Sequence, residues 1–432
     1  MSKMLLPHQY YYPHLDLIKD KCTASKKDDF KDGLGHPAHS KEAMIYIHIP
    51  FCDSKCAFCG FDKVYNTEEM STYVEKLIKE MQYYAKQDYV KSLRINGIHF
   101  GGGTPTILPA AALSLLLKTI FECFNMDTNT TINIEGSATT LYHPDIISFL
   151  LENHISRVSV GVQTFNQKLR DQYKTKATLD EVYKTLEALK SNHIITYIDI
   201  MYGYPDFGIG NMQKIVEDDV REAISLGVEG IDFGQIYPYS NQLEQRIVAE
   251  NLQLPSEQSV VDTIQNSTEI MESAGYEQKT AYGFTRCGRI IIETSYFGGA
   301  NDLPDCLAFG SGAFGFLNSY KYRNVSYNSY MNFDLPNYSQ LKKLSPEQLD
   351  NMKIVGFPKL LMLSKELLSP ILKARFQEKL DHLISDNLIT ETSDSFLLTQ
   401  KGKSYIDNIY YYLLEDEEKQ VIDKQLKYLF LK

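Results

Sequence analysis

The stretch AMIYIHIPFCDSKCAFCGFDK (Ala43–Lys63) joins a short apolar run to three of the seven cysteines in the chain. The apolar, partly β-branched run is typical of a buried β-strand. Cys52, Cys56 and Cys59 follow it on one loop, with the spacing C-x3-C-x2-C. A disulfide framework needs an even set of partners, and a structural zinc site usually needs four ligands. Three thiols on one loop therefore indicate a different kind of metal site.

The alternation of a strand with a helix continues along the first 240 residues. A helical stretch from about residue 67 to residue 86 follows the cysteine loop, and GIHF then leads through a glycine-rich turn into the helix PAAALSLLLKTIFECF. The runs TTINIE, RVSVGVQ, IITYIDIMYG and EGIDFGQIY extend the pattern. Six such strands predict βαβ units and a parallel sheet. Because six strands are too few for a closed eight-strand barrel, we expect an α/β fold with a partial TIM-like (β/α)6 barrel or an open doubly wound sheet.

Both arrangements place the chemistry at the C-terminal ends of the strands, where the loops converge. The cysteine loop, the GGGTPT loop and the residue after TTINI all fall at such ends. Their agreement predicts one shared site at that edge of the sheet.

Three regions of the chain differ in character. Residues 1–40 are polar and are interpreted as an irregular N-terminal arm. Residues 41–335 hold the predicted barrel and an extension with glycine-rich turns, and residues 336–432 are mainly helical. The order helix, helix, short hairpin and final helix makes the last region winged-helix-like. Its nearly balanced charge and lack of a basic recognition helix favour a structural or substrate-covering role over DNA binding.

The bulk composition excludes several classes of protein. A net charge of −11 argues against a surface that neutralises nucleic-acid phosphates. No stretch approaches the roughly 20 apolar residues needed to span a membrane, and the N-terminus lacks the features of a signal peptide. We therefore expect a cytoplasmic protein with reduced thiols and no membrane or nucleic-acid partner. The scattered cysteines are interpreted as plain thiols: Cys22, Cys123, Cys287 and Cys306.

The three clustered cysteines match the needs of a [4Fe–4S] cluster. Thiolates hold the irons of such a cluster, and three cysteines hold three irons and leave the fourth iron for an exogenous ligand. The competing interpretations are a zinc site completed by His48 and a chance crowding of thiols. Zinc more often uses paired C-x2-C motifs from two loops, and the sequence has no second pair.

A glycine-rich turn in HFGGGTPT follows the second predicted strand. Its glycines, Gly101, Gly102 and Gly103, let the backbone approach a ligand closely. A phosphate site before a helix is the alternative, but the turn lacks the lysine of a P-loop.

These motifs together resemble a known family. The C-x3-C-x2-C spacing, with Phe58 before the third cysteine, is similar to that of radical S-adenosylmethionine (SAM) enzymes. YIHIPFC, GGGTPT, RVSVGVQTFN, DIMYGYP and FGSGAFG resemble, more narrowly, the oxygen-independent coproporphyrinogen III oxidase family, from Tyr46 to about Tyr320. That family includes heme chaperones, anaerobic heme-degrading enzymes and class C radical SAM methyltransferases. The resemblance implies that SAM binds the open iron and is cleaved to a 5′-deoxyadenosyl radical, and that two SAM molecules share one cavity.

The resemblance also implies roles for individual residues. The cluster ligands would be Cys52, Cys56 and Cys59. The first SAM would contact Tyr46, Gly102, Gly103, Thr104, Glu135, Gln163 and Asp199. A strand-end carboxylate such as Asp199 can accept two ribose hydroxyls. The second SAM or the substrate would contact Phe233, Gln235, Gly310, Gly312 and Ala313. Substrate-facing candidates of the next loop are Tyr282, Arg286 and Arg289.

Three departures from the family pattern bear on the reaction. Phe61 stands where the coproporphyrinogen oxidases have a further cysteine, and EGSATTL replaces the usual E-x-x-P. Lys174 or Lys176 stands near the place of a usual arginine, as a point charge without the bidentate geometry of arginine. These changes weigh against porphyrinogen decarboxylation and leave the radical chemistry intact.

Three functional hypotheses follow. The first is a class C type radical SAM methyltransferase, in which a second SAM supplies a methyl or methylene group to an sp2 carbon of a heteroaromatic or tetrapyrrole substrate. The second is oxidative decarboxylation of a porphyrinogen, and the third is a heme-binding chaperone. The expected partners are a small conjugated molecule and an electron donor such as flavodoxin or ferredoxin, and the expected state is a monomer. The sequence identifies no catalytic acid or base.

Overall fold

The computed structural model describes residues 22–38, 41–236, 241–286, 305–334 and 336–430. The strands are β1 (Lys41–Ile49), β2 (Leu93–Gly102), β3 (Met126–Gly136), β4 (Arg157–Gln163), β5 (Thr196–Tyr202), β6 (Gly230–Gln235), β7 (Glu277–Gln278), β8 (Gly283–Thr285), β9 (Asp305–Phe309), β10 (Phe314–Leu317), β11 (Tyr320–Asn324), β12 (Tyr338–Lys343), β13 (Met362–Ser364), β14 (Ile389–Glu391) and β15 (Ser395–Leu398).

Helices lie between most of these strands. They are α1 (Ala24–Leu34), α2 (Met70–Tyr84), α3 (Asp88–Lys91), α4 (Ala110–Cys123), α5 (Pro144–Glu152), α6 (Gln167–Tyr173), α7 (Leu179–Ser191), α8 (Met212–Leu226), α9 (Asn241–Glu250), α10 (Glu257–Ser273), α11 (Tyr327–Asn332), α12 (Pro346–Val355), α13 (Phe357–Leu360), α14 (Pro370–Ser385), α15 (Gln400–Lys403), α16 (Ile406–Leu413) and α17 (Asp416–Phe430). Two short 3-10 helices span Pro105–Ile107 and Lys365–Leu367.

The order of the strands in the main sheet identifies a partial barrel. The sheet runs β12-β11-β10-β9-β1-β2-β3-β4-β5-β6-β8-β7, and β1 to β6 pair in parallel with each chain neighbour. A doubly wound sheet reverses its strand order at a switch point, and no reversal occurs between β1 and β6. The predicted α/β fold with a partial (β/α)6 barrel is therefore confirmed. The sequence did not predict β9, which adds a seventh parallel strand beside β1.

Alternation along the strands gives the barrel two chemically different faces. In β4, Val158, Val160 and Val162 are fully buried in the hydrophobic core. The residues that alternate with them, Arg157, Ser159 and Gly161, point to the opposite face. The barrel strands therefore pack an apolar outer face on the helices and turn a polar face inward.

The N-terminal arm contains a helix that the sequence did not predict. Thr23 caps α1 by accepting a hydrogen bond from the backbone N–H of Lys26. Phe30 is buried, with its ring 4.8 Å from the ring of Tyr320 and 5.7 Å from that of Tyr338. The interpretation of residues 1–40 as irregular is therefore wrong for residues 24–34, because two apolar side chains in a polar stretch suffice to dock a short helix. Residues 1–21 and 39–40 lie outside the described residues.

The C-terminal region has a hydrophobic cluster of its own. Buried side chains from Ile354 to Ile422 form this cluster, separate from the large barrel cluster. Strands β13, β15 and β14 form a three-stranded antiparallel sheet that packs with the surrounding helices. No helix in the described part of the chain is long and apolar enough to cross a membrane. The domain boundaries at residues 40 and 335 stay predictions.

We predict that Phe30→Ala detaches α1 from the barrel. The substitution removes a buried aromatic ring, a change that costs about 3–5 kcal/mol in protein cores. Hydrogen exchange of the α1 amides should accelerate toward that of an unprotected peptide. Phe121→Ala is the matched control because Phe121 is 51% exposed. Unchanged protection of α1 in Phe30→Ala would contradict the docking.

Candidate functional site

The cysteine loop begins where β1 ends, and hydrogen bonds fix it at both ends. The backbone N–H of Cys52 donates to the carbonyl of Val64 at 3.0 Å, and the N–H of Val64 donates to the carbonyl of Pro50 at 2.9 Å. In the middle of the loop, the N–H of Ala57 donates to the carbonyl of Tyr173 at 2.8 Å. The loop is thus closed at its base and attached to the end of α6.

The thiols of the loop lie in a partly buried, polar environment. Cys52 Sγ is 3.4 Å from Thr104 Oγ1, and Cys56 Sγ is 2.9 Å from Ser54 Oγ. Burial raises the pKa of Cys56, against the lowering effect of the Ser54 hydroxyl. Hydroxyl groups close to sulfur can donate to thiolates, so these contacts suit sulfurs that carry negative charge.

A lysine lies beside all three sulfurs. Burial alone would lower the pKa of Lys63, but Cys59, Cys52 and Cys56 together raise it above its ordinary value. The three thiols therefore share one small region with a cation. An anionic group held by the three thiolates would be partly compensated by Lys63.

The three thiols of the loop are the kind of ligand that an iron–sulfur cluster uses. Among the described residues, no group of three Cys, His, Asp or Glu side chains is placed to hold one metal ion. A zinc ion would need all its sulfur ligands at about 2.3 Å from one centre. An iron–sulfur cluster takes its thiolates on different irons, so the three sulfurs need not converge on one point.

The glycine-rich loop after β2 packs directly on the backbone of the cysteine loop. The N–H of Gly103 donates to the carbonyl of Ile49 at 2.7 Å, and the N–H of Thr104 donates to the carbonyl of Phe51 at 2.8 Å. A Cβ atom on Gly103 would lie 2.4 Å from the Phe51 oxygen, which no side chain tolerates. Gly102 has φ +110°, a conformation that favours glycine. Here the glycines serve contact between two protein loops, in addition to the close ligand approach expected from the sequence.

A hydrogen-bonded group of aromatic and polar side chains lies beside this loop. The Tyr46 hydroxyl is 2.9 Å from His48 Nδ1, and the Tyr46 ring stacks on His99 with 5.7 Å between centroids. Asn133 Nδ2 donates to His99 Nδ1 at 2.7 Å, so His99 Nε2–H donates to Glu135 Oε1 at 3.0 Å. This chain of contacts aligns Tyr46 and Glu135, two of the predicted SAM contacts, on one face of the sheet.

The charges of His48 and Glu135 in this group follow from burial and from the hydrogen bond of His99. Burial lowers the pKa of His48 to about 4, so its ring is neutral at pH 7. The contact with the Tyr46 hydroxyl is consistent with His48 as a hydrogen-bonding residue of the loop. Burial opposes ionisation of Glu135, but the hydrogen bond from His99 holds the Glu135 pKa below its usual value. Glu135 is thus an anion at neutral pH.

Gln163 occupies a strained position at the end of β4. Its φ is +70°, in the left-handed region that glutamine seldom adopts. The Asp219 carboxylate holds the next turn: Thr164 Oγ1 donates to it at 2.6 Å and the Phe165 N–H at 2.7 Å. The Gln163 amide nitrogen then donates to Asp199 Oδ2 at 3.3 Å. The structure therefore brings together the predicted pair Gln163 and Asp199.

The inner face of β4 to β6 carries more charge than the sequence analysis assigned. Burial raises the pKa of Asp199 well above its usual value, and the neighbouring carboxylates Asp232 and Glu135 add to the effect. Arg157 Nη2 is 3.2 Å from Asp232 Oδ2. Asp232 Oδ1 is buried and accepts no hydrogen bond within the described residues. Arg157 is the cation of this wall, and the sulfonium and ammonium groups of a ligand such as SAM would add positive charge that favours ionisation of the remaining carboxyl groups.

The candidates on β6 lie apart from this wall. Phe233 alternates with Asp232 and so points to the other face, where its ring stacks on Tyr202 at 4.4 Å. Phe233, Gln235 and Tyr202 line a cavity together with side chains of the C-terminal region, such as Asp407. The structure therefore does not bring Phe233 and Gln235 together with the predicted residues for the first SAM.

The late glycine loop lies close to the end of β1. A Cβ on Gly310 would be 2.6 Å from the carbonyl oxygen of His48. The buried Glu80 carboxylate accepts from the Gly310 N–H at 2.9 Å and so anchors this loop. Ala313 is buried, whereas a Cβ on Gly312 would meet no heavy atom within 4 Å. Of this group, Gly312 faces open space at the predicted edge of the sheet.

The remaining candidates are placed as follows. Lys176 forms an ion pair with Asp53 of the cysteine loop at 2.8 Å, whereas Lys174 ends α6 in a left-handed conformation. Tyr282 bonds to Lys359 of the C-terminal region, and the Arg286 guanidinium lies over the ring of Tyr276. Arg289 and Cys287 lie outside the described residues.

Sequence reasoning missed several polar residues of the inner face. They are His99, Asn133, Arg157 and Asp232. His99, Asn133 and Asp232 each stand in a strand between two apolar residues, and Arg157 directly precedes the alternating run that begins at Val158. The alternation of polar and apolar positions was therefore available as a signal. We used this alternation to identify strands, but not to predict which polar side chains point into the barrel interior.

Comparison with known proteins agrees with this geometry. The model of the radical SAM superfamily matches residues 46–247. The chain belongs to the radical SAM superfamily and, within it, to the HemN/HemW-like family. Membership implies a [4Fe–4S] cluster and SAM, and Cys52, Cys56 and Cys59 fit the cluster.

The relatives include an anaerobilin synthase, a heme chaperone and a coproporphyrinogen III oxidase. The chain is 28% identical to an anaerobilin synthase of Escherichia coli O157:H7 over 300 residues, which is 68% of this chain and 65% of that protein. It is 28% identical to the heme chaperone HemW of Lactococcus lactis over 393 residues, 87% of this chain and 98% of the relative. The crystal structure of coproporphyrinogen III oxidase (HemN) from Escherichia coli matches with a TM-score of 0.75 at 21% identity, covering 93% of this chain and 98% of that chain. The last match shows the fold.

We predict that Gly103→Ala displaces the cysteine loop. Because the new Cβ would clash with a backbone oxygen at 2.4 Å, the expected destabilisation is about 1–3 kcal/mol, accompanied by a lower iron content after anaerobic reconstitution. Gly234→Ala is the control, since a Cβ there meets no heavy atom within 4 Å. Iron content and thermal stability equal to those of the control would refute the clash.

Proposed function

We propose that this protein binds heme or a related tetrapyrrole and carries out SAM-dependent radical chemistry on it. The observation that carries the proposal is the cysteine loop, closed at its base and packed on Gly103 and Thr104, in a chain similar to heme-handling radical SAM proteins along most of its length. The loop would hold the cluster, and the similarity to these relatives indicates the class of substrate.

Different residues of the site would bind the cluster and SAM. Cys52, Cys56 and Cys59 hold the cluster, and Lys63 balances its charge. When bound, the cluster and SAM supply a 5′-deoxyadenosyl radical. The Glu135 carboxylate on the inner face attracts the positive groups of SAM, and Asp199 accepts hydrogen bonds from ribose hydroxyls.

Positioning matters here because a radical must meet its target within contact distance. Gln163 holds Asp199 in place, and Asp219 fixes the backbone from which Gln163 extends. The apolar core behind β4 and β5 excludes water from this side of the site. These features orient the nucleoside and protect it from solvent.

The comparisons favour two of the three sequence-based hypotheses. None of the relatives named above is described as a class C methyltransferase; they are an anaerobilin synthase, a heme chaperone and a coproporphyrinogen III oxidase. Methyl transfer from a second SAM therefore remains a prediction, and the open side of Gly312 is the place on the late glycine loop where a second ligand would fit. A reduced electron donor such as flavodoxin or ferredoxin likewise remains a prediction.

A heme chaperone of the same family is the second candidate. The match to HemW covers 98% of that protein, which includes its C-terminal part, whereas the match to anaerobilin synthase covers 65% of its length. Against this, the inner face carries Glu135, Gln163 and Asp199, the residues that we propose for SAM. The enzyme and the chaperone differ in whether SAM is consumed when heme is present.

We predict heme-dependent consumption of SAM. The reconstituted protein, incubated without oxygen with SAM, dithionite and heme, should release 5′-deoxyadenosine and convert the tetrapyrrole, as read by mass spectrometry. S-adenosylhomocysteine would indicate methyl transfer, and carbon dioxide from coproporphyrinogen would indicate decarboxylation. Heme binding without SAM cleavage would instead support the chaperone.

Cys56→Ala is the control for this experiment. It removes one cluster ligand and should abolish SAM cleavage. If the wild-type protein neither binds a tetrapyrrole nor cleaves SAM, the proposed function is wrong. Cleavage that persists in Cys56→Ala would refute the assignment of the cluster.

A further inference from the structure

The hairpin that follows the late glycine loop carries an exposed aromatic ring and an arginine. Phe314 is 45% exposed, and the Arg323 guanidinium lies 4.8 Å above its ring centroid. The two residues are direct cross-strand partners of β10 and β11. Within the described part of the chain, the structure gives Arg323 no carboxylate partner. The pair thus presents an apolar ring face beside a guanidinium group.

The register of the sheet places this pair on the face of the radical SAM site. Phe316, two residues beyond Phe314, pairs with Cys306 of β9, and Cys306 pairs with Met44 of β1. Paired residues share a face, and every second residue of a strand returns to it. Phe314 and Arg323 are therefore on the same face as Tyr46.

The pair also lies at the correct edge of the sheet. Strand β10 begins at Phe314, four residues after Gly310, and Gly310 packs against the backbone of His48 at the end of β1. The Arg323 charge contributes to the low pKa of His48, which is expected of a cation near that ring. The platform thus adjoins the open side of Gly312 and the site that begins with Tyr46.

The opposite face of β11 explains why this arginine is not part of the core. Tyr320, Tyr322 and Asn324 alternate with it and are buried. Tyr320 contacts Phe30 of α1, and Asn324 donates to the buried Glu80. The helices occupy that face, so the face of Arg323 is turned away from them.

The two ends of the inner face carry different ionisable groups. Glu135 on β3 is an anion, because the hydrogen bond from His99 holds its pKa below the usual value, whereas burial raises the pKa of Asp199 and Asp232. On the side of β11 lie Arg323 and, two positions before it, Lys321, whose pKa burial lowers to about 7. Such a division directs cationic and anionic ligands to different ends of one cavity.

We propose that Phe314 and Arg323 form the substrate platform of this site, in which Phe314 covers the face of a planar conjugated ring and Arg323 binds a carboxylate on the ring's side chain. This inference rests on the proposed function and narrows its substrate to planar, carboxylate-bearing macrocycles such as the propionate-bearing tetrapyrroles. SAM would occupy the acidic side and the substrate the basic side. Arginine suits this role because its guanidinium can bind a carboxylate with two parallel hydrogen bonds.

The test compares heme with heme dimethyl ester, which has the same ring without free carboxylates. Binding to the anaerobic, cluster-containing protein is followed by difference absorption in the Soret region. Arg323→Gln should raise the Kd of heme at least about tenfold, the range expected when a charged hydrogen bond is lost, and leave the Kd of the diester unchanged. Arg323→Lys should show a smaller loss, and Phe314→Ala should weaken both ligands.

Two controls separate this role from a structural one. Arg94→Gln, at the amino end of β2, should leave both Kd values unchanged, and the SAM affinity should be unchanged in Arg323→Gln. The inference is overturned if Arg323→Gln weakens heme and diester equally, or weakens neither. If the wild-type protein binds heme but does not distinguish it from its diester, only this inference fails. If it binds no tetrapyrrole, the proposed function fails with it.

Discussion

Backbone contact between the glycine-rich loop and the end of β1 is the constraint on which the site depends. The N–H groups of Gly103 and Thr104 donate to the carbonyls of Ile49 and Phe51, and only glycine fits at 103. This contact fixes the first residue of the cysteine loop relative to the sheet. Two neighbouring parallel strands therefore hold the loop rigidly. A site that binds a cluster and a nucleoside in one geometry needs such rigidity.

Hydrogen bonds on the polar inner face of the barrel hold the side chains of the site in the same way. Hydrogen bonds run from Asn133 through His99 to Glu135, and from Gln163 to Asp199. Positions further from the ligand, such as Asp219, hold the backbone of these residues. Glu135 lies on one side of the face and Arg323 on the other, so the surface offers separate places for a sulfonium nucleoside and for an acidic ring.

Much of the fold was predictable because its signals are local. Hydrophobic alternation identified six strands and their helices, and the cysteine spacing identified the loop. The docking of α1 was missed because it depends on two apolar residues that meet aromatic rings about 300 positions later in the chain. Strand β9 was missed for a similar reason, since its place beside β1 is a long-range pairing. Within the site, local motifs predicted Gln163 and Asp199. The positions of Arg157, Asp232 and Arg323 on the inner face follow from the register of neighbouring strands.

The account's central claim is that three thiolates hold an iron–sulfur cluster with one iron open to SAM. Electron paramagnetic resonance of the anaerobically reconstituted, dithionite-reduced protein, together with iron analysis, tests it most directly. We expect about four irons per chain and a signal of the reduced cluster that changes when SAM is added. Bound zinc in place of iron, or a cluster signal that is indifferent to SAM, would contradict it.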